Sequence, residues 1–494
     1  MSGRTSKPTV GSLPDTAVDQ SIVPAVLTWL AWTLFAASLA ALVGRVRFDA
    51  AWRLPGVVAI DGLTVLLWVV VTFFSGIVHS YSRRYMAGSP HETSFFAGIF
   101  GFTAIVMGLV AADHVALFWA LWLAMGLVMA RLVGTVEGWD QARAAEQVAR
   151  RYFLASSALL GLALAALWWA TGARTVSGIA AATEGLGGPL WLVAAGALVL
   201  AAMIQSALVP FHTWLFASMT APTPASALMH AGFVNAGGIL LTRFAPVLTV
   251  DATLMVAIVV VGATSALLGK LLKSVQPDVK RTLGGSTVGQ MGFMIMQAGL
   301  GFFGAAITHL IVHGCYKAYH FLSAGERVEQ TAPNSEDKHA PGVIGVAATA
   351  LTGLAGGAVF AALTGKGTHL DSGLVLAAIV VLTTLHAAHS VLNRSELAGP
   401  LRYAAVPVIF LPAIATYALV YTAITGLLAD LPVVAAPTEL TVVHGVVLAG
   451  FVLAYVAVEA DLHERSTRLY VALVNASQPP TETLLTTRGE YNEY

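Results

Sequence analysis

Residues 306–325 read AITHLIVHGCYKAYHFLSAG, an apolar run holding His309, His313, Lys317 and His320. At ~100° per residue these four project from a helix at about 0°, 40°, 80° and 20°, so they share one stripe. The stripe extends roughly 16 Å along the axis, about half the hydrocarbon thickness of a bilayer. Side chains of this kind at this spacing can hand a proton from one to the next. The alternative is a set of hydrogen-bonded packing residues, but four ionisable groups on one stripe are costly in an apolar setting.

Other ionisable residues also interrupt apolar sequence. Lys270 and Lys273 lie three apart in the run beginning at Ala252, so they are neighbours on a helix surface. Lys273 stands near the end of its run, where a lysine can snorkel to the interface. Lys270 is expected deeper. Desolvation disfavours the charged form of a lysine, which lets it gain and lose a proton. His230 follows Pro210, Pro222 and Pro224 in VPFHTWLFASMTAPTPASALMHAGF. Prolines at this density break helices. Irregular backbone at membrane depth lines cavities and ion sites, so His230 is a relay candidate beside the reading of a satisfied core histidine. Asp61, His386, His389 and His444 are secondary polar candidates, with structural roles equally open.

The elements that must position these groups are membrane helices. Of 494 residues, 57% are apolar and 11% charged, against about 25% charged in ordinary soluble domains. Apolar runs close to the ~20 residues of a spanning helix recur along the chain. The expected fold is all-α, a polytopic membrane protein of about fourteen transmembrane helices, the first from Ile22 and the last from Leu440. The expected organisation is a polar cytoplasmic N-terminus (1–21), a transmembrane region (22–460) and a polar cytoplasmic tail (461–494). Residues 1–20 lack the apolar core and cleavage site of a secretory signal. Basic residues, among them Arg83, Arg84, Arg150, Arg151, Lys280 and Arg281, concentrate in the connections on the side of the termini. By the positive-inside rule both termini are then cytoplasmic.

Several functions are disfavoured. Lys+Arg and Asp+Glu both number 26, so the zero net charge argues against nucleic acid as a partner. Cys315 is the one cysteine, which rules out C-x-x-C metal sites. TGKGT lacks the upstream glycine of a phosphate loop, and no strand-plus-glycine fingerprint suits a dinucleotide. Counting histidines leaves haem open, but histidines sharing a stripe with lysine suit protons better. They also favour H⁺ over Na⁺, which carboxylates and carbonyls suit better. The chain is read as a transport subunit and not an enzyme, with no cofactor of its own.

Three blocks carry a family resemblance: PFHTWLFASMTAPTPASALMHA (210–231), QPDVKRTLGGSTVGQMGFM (276–294) and HLIVHGCYKAYHFLSAG (309–325). DGLTVLLW from Asp61 and YSRRYM from Tyr81 fit the same pattern. Together they resemble the proton-translocating antiporter-like membrane subunits of respiratory complex I and Mrp antiporters. The resemblance implies inverted repeats, broken helices and a hydrated polar axis. It implies a relay through Lys317 with its flanking His309 and His313, and through His230 after the P-T-P break, with Lys270 a looser match. Where that family has a Glu–Lys pair, this chain has Ala120 in FWAL and Gln205. A pair-deficient member is most similar to the DabB family, the membrane subunits of DAB-type inorganic carbon transporters. That similarity implies a proton-conducting subunit of a bacterial inner-membrane complex. The expected partner is a large peripheral DabA-like subunit resembling a zinc β-carbonic anhydrase, with the zinc in the partner. The competing expectations are a subunit of a complex I-like or Mrp-type antiporter, and a scaffold that only anchors a peripheral enzyme.

Overall fold

The computed structural model describes residues 21–136, 138–327, 343–394, 399–459 and 465–483. Helix α1 (Val23–Phe48) leads through a hairpin, β1 (Trp52–Leu54) and β2 (Val58–Ile60), into α2 (Gly62–Tyr85). The strands pair antiparallel with Trp52 opposite Ile60. Then come α3 (Glu92–Ala111), α4 (Val115–Val133), α5 (Asp140–Thr171), the short α6 (Val176–Ala181) and α7 (Gly188–Gln205). An interrupted stretch follows, with α8 (Thr213–Ala217), α9 (Thr223–Ala231), α10 (Ala236–Arg243) and α11 (Ala245–Leu248). Three helices then run uninterrupted, α12 (Ala252–Ser274), α13 (Val279–Gly299) and α14 (Phe303–Leu322). The remainder is α15 (Val343–Thr364), α16 (Gly373–Arg394), α17 (Gly399–Leu427), α18 (Val442–Glu459) and α19 (Thr467–Ala476).

Among the described residues, ten helices are long and apolar enough to cross a membrane, α9–α10 counting as one broken passage. The more polar α13 and α14, and the shorter apolar stretches of α16 and α18, bring the passages to the fourteen read from the sequence. Their alternation shows in how the connections meet. Val58 bridges Ala112, His114 bridges Thr175, Phe302 bridges Ala435 and Asp371 bridges Glu439. All of these connections lie with the β-hairpin at one end of the bundle, the hairpin end. Pro222, Lys280 and α19 lie at the other, the tail end.

Small residues set the closest packing. A side chain on Gly269 would put its Cβ 2.1 Å from the Gly289 nitrogen, and one on Gly292 would lie 2.4 Å from the Ala266 nitrogen. The backbones of α12 and α13 touch there, as small residues permit between membrane helices. Gly314 does the same for α14, where an added Cβ would lie 2.7 Å from the Phe74 ring and 2.9 Å from the Ala231 carbonyl. These contacts hold α12 against α13, and α2 and α9 against α14.

The hairpin end is tied by charge. Asp61 is the N-cap of α2, accepting from the Thr64 amide at 2.8 Å, and it pairs with both terminal nitrogens of Arg243 on α10. Arg243 also donates to Thr64 Oγ1 and the Val110 carbonyl. Asp430 accepts from Arg45 and from the Gly62 amide, both at 3.0 Å. His444 sits at the start of α18, where its Nδ1 accepts from the Thr441 amide at 3.1 Å. Asp61 and His444 therefore have capping work at helix starts.

Candidate functional site

The site is built around a broken helix. α7 ends at Gln205, and the chain passes through Pro210 into α8, then through Pro222 and Pro224 into α9. The freed main-chain groups find side-chain partners, as broken membrane helices require. Trp214 Nε1 donates to the Ile204 carbonyl at 2.9 Å. Ser206 Oγ donates to Val234 at 2.6 Å, and Asn235 Nδ2 to Ala231 at 2.7 Å. Lys280 on α13 donates to the Ala221 carbonyl at 2.9 Å, fixing the turn just before Pro222.

This scaffold places His230 in the last turn of α9, fully buried. Its Nδ1 meets Thr287 Oγ1 of α13 at 2.9 Å, and its ring stacks on Phe321 of α14 with centroids 4.4 Å apart. One turn before Thr287, the Leu283 carbonyl accepts from Lys317 Nζ of α14 at 2.7 Å. Lys317 is also fully buried. His313, a turn deeper, lies against the main chain of His230, and its ring stacks with that of His309 at 5.8 Å between centroids. His230, Lys317 and His313 are thus brought together in the buried interior between α9, α13 and α14, and the half-buried His309 extends the line along α14.

Nε2 of each of His230, His309 and His313 is buried without a protein hydrogen-bond partner, as is Gln297 Oε1 further along α13. Buried polar atoms are normally paired by protein or by ordered water. Among the described residues, three of the four members of this line therefore each carry one ring nitrogen with unused hydrogen-bonding capacity.

The other sequence candidates separate from this line. His320 is half-buried and packs against the exposed Tyr316 and Tyr319, with ring centroids 4.0 and 5.3 Å away. It therefore stands at the margin of the stripe. Lys273 lies within electrostatic reach of Lys317. Lys270 faces outward from α12, and its Nζ meets His386 Nε2 of α16 at 2.9 Å. That joins two candidates in a second pair at the side of the line. The side chain of His389 falls outside the described residues.

His79 escaped the sequence reading. It is fully buried in α2, with Nδ1 2.8 Å from the Ser75 carbonyl, Nε2 partnerless, and Phe96 and Phe100 at its edge. It lies mid-span in an apolar run, so the rule that singled out the other histidines would have found it. Arg243, the partner of Asp61, was also missed. It closes the run GGILLTRF, and nothing local announces a carboxylate so distant in sequence.

Residues 112–340 match the family described as NADH:quinone oxidoreductase/Mrp antiporter, transmembrane, and residues 51–96 match NADH-ubiquinone oxidoreductase (complex I), chain 5 N-terminus. The chain belongs to this antiporter-like membrane-subunit family. This antiporter-like subunit is 39% identical over 293 residues to a probable inorganic carbon transporter subunit DabB1 of Halothiobacillus neapolitanus, covering 58% of this chain and 52% of that one. It is 32% identical over 288 residues to NADH-ubiquinone oxidoreductase chain 5 of Podospora anserina, covering 58% and 44%. The chain spans about half the length of these relatives. Among solved structures it resembles the Mrp complex from Dietzia sp. DQ12-45-1b with a TM-score of 0.55 and 25% identity, covering 92% of this chain and 51% of that one.

The structure also refines the two departures in this antiporter-like subunit. Gln205 is fully buried at the end of α7, with both amide atoms partnerless, so it faces the interior. Ala120 is exposed on α4, whose inward positions are Phe118, Trp122 and Met125. A carboxylate at residue 120 would point away from the line.

Proposed function

We propose that this chain is the proton-conducting membrane subunit of an inorganic carbon accumulation complex in a bacterial inner membrane. The observation that carries the conducting role is the line His309–His313–Lys317–His230, in which the Leu283 carbonyl holds Lys317 and the Thr287 hydroxyl holds His230 against α13. Burying a lysine without a carboxylate partner is expensive. In this line it is useful, because Lys317 can accept a proton from the histidine side and release it toward Lys273 and Lys280 at the tail end. Protons enter from the hairpin end, taken as the outer face because the basic residues gather at the other. Both termini are then cytoplasmic.

The carbon role is supported by the likeness to DabB1, a probable inorganic carbon transporter subunit. The partner on this reading is a DabA-like, zinc β-carbonic-anhydrase-like subunit, which carries out CO2 hydration while proton flow makes the conversion one-way. The alternative is a subunit of a complex I-like or Mrp-type antiporter, favoured by the likeness to chain 5 and to the Mrp complex. Gln205 speaks against it, since a neutral amide cannot exchange a proton as the family's lysine does.

The test is Lys317→Ala in the native host. Loss of growth at ambient CO2 with rescue at elevated CO2 is the expected result. Growth equal to wild type in air removes the proposal, and a respiratory or sodium-sensitivity defect without a carbon requirement selects the alternative.

A further inference from the structure

A cavity of about 30 Å3 lies where α2, α3, α4, α9, α10 and α14 converge. Its walls include Phe102, Trp122, Leu228, Ile239 and Leu310, and among the described lining residues Asn235 is the one amide in an otherwise aliphatic and aromatic surface. Asn235 is 1% exposed. Its Nδ2 is held by the Ala231 carbonyl at 2.7 Å, while its Oδ1 has no partner.

These features restrict the occupant. Water seeks two to four polar partners, and this cavity supplies one acceptor. An anion would meet an amide oxygen and hydrocarbon, and a hard cation needs several oxygens. The space is too small for an acyl chain. A small, neutral, lipid-soluble molecule with an electron-poor atom to set against Oδ1 fits, and CO2 has that polarity at carbon. The wall residues Ala231 and Leu310 directly adjoin His230 and His309 in sequence, so an occupant would lie beside the proton line.

We propose that this cavity binds CO2 within the membrane domain, its carbon against Asn235 Oδ1. The proposal rests on the inorganic-carbon reading above and adds a substrate site in this chain to the chemistry assigned to the partner.

The test uses the full chain in lipid nanodiscs with ¹³C-labelled CO2 at acidic pH, reading broadening of the CO2 resonance. Two variants close the site differently: Ala236→Leu fills it from α10, and Asn235→Leu removes the oxygen. Broadening by the wild-type chain, lost in both variants with helical content and melting temperature retained, is expected. Absence of broadening in the wild type, or its persistence in both folded variants, overturns the site. Lys317→Ala keeps the broadening, so growth of that strain reports separately on the functional reading. A chain that binds CO2 while its Lys317→Ala strain grows normally in air loses the function but keeps the site.

Discussion

Lys317 Nζ donates to the main-chain carbonyl of Leu283 at 2.7 Å across the α13–α14 contact, and that same carbonyl accepts from Thr287 Oγ1 at 2.9 Å. Since Thr287 Oγ1 also meets His230 Nδ1, one hydroxyl and one carbonyl join the lysine to the histidine. The bridging hydroxyl is the weak point of the line. Thr287→Val keeps its shape but leaves His230 Nδ1 unsatisfied, at about 1–3 kcal/mol. Proton flux into proteoliposomes should fall strongly, while Thr287→Ser retains most of it. Equal flux in wild type and Thr287→Val would show that Thr287 only packs.

The Asp61–Arg243 pair should control acid stability. Burial works to raise the Asp61 carboxyl, but the Arg243 guanidinium and the Thr64 hydrogen bonds outweigh it and hold the group below its ordinary value of 3.8. A depressed carboxylate stabilises the fold above its unfolded pKa, and that stability is lost as pH falls through the folded value. Asp61→Asn should cost about 3 kcal/mol at neutral pH by leaving Arg243 without its counter-charge. The difference in melting temperature from wild type, measured in detergent, should be full at pH 7 and shrink below pH 4. A gap that does not change with pH would mean that Asp61 acts through its neutral hydrogen bonds.

Glycine substitutions should divide by what the new Cβ meets. Gly269→Ala drives a methyl to 2.1 Å from the Gly289 nitrogen, backbone that cannot move aside. It should separate α12 from α13 and destabilise by about 2 kcal/mol or more. Gly101→Ala in α3 meets nothing within 4 Å and should be neutral or stabilising by up to ~1 kcal/mol through helix propensity. Melting temperatures of the two variants in one detergent decide the matter.

Restoring the family's charged pair should fail in this chain. Ala120→Glu places a carboxylate on the exposed face of α4, whereas Gln205→Lys buries an ammonium at the end of α7. The two charges do not face the same interior, so the lysine remains unpaired and costly. The double variant should be less stable than wild type and conduct protons no faster. A rise in flux would show that α4 can rotate to bring residue 120 inward.

Much of this was legible in the sequence because lipid imposes a simple rule. Each passage must be an apolar helix, and the close cluster Pro210, Pro222 and Pro224 favours a break, so the spans and the break before His230 could be read directly, although α17 runs on through Pro407 and Pro412. The His309–Lys317 stripe was legible for the same reason, since helical spacing sets the angle between residues on one helix. What spacing leaves open is how each helix is rotated against its neighbours. That rotation, helped by glycine contacts such as Gly314 against Ala231, turned His313 and Lys317 inward, left His309 half-buried and set His320 among exposed tyrosines. It also turned Ala120 outward and paired Lys270 with His386. Asp61 and Arg243 stand 182 residues apart, and only the three-dimensional fold could show that they neutralise each other. Sequence alone determined which groups are costly in a membrane; tertiary structure decided which of them share that cost by facing one another, because partnership is a property of helix packing and not of any single helix.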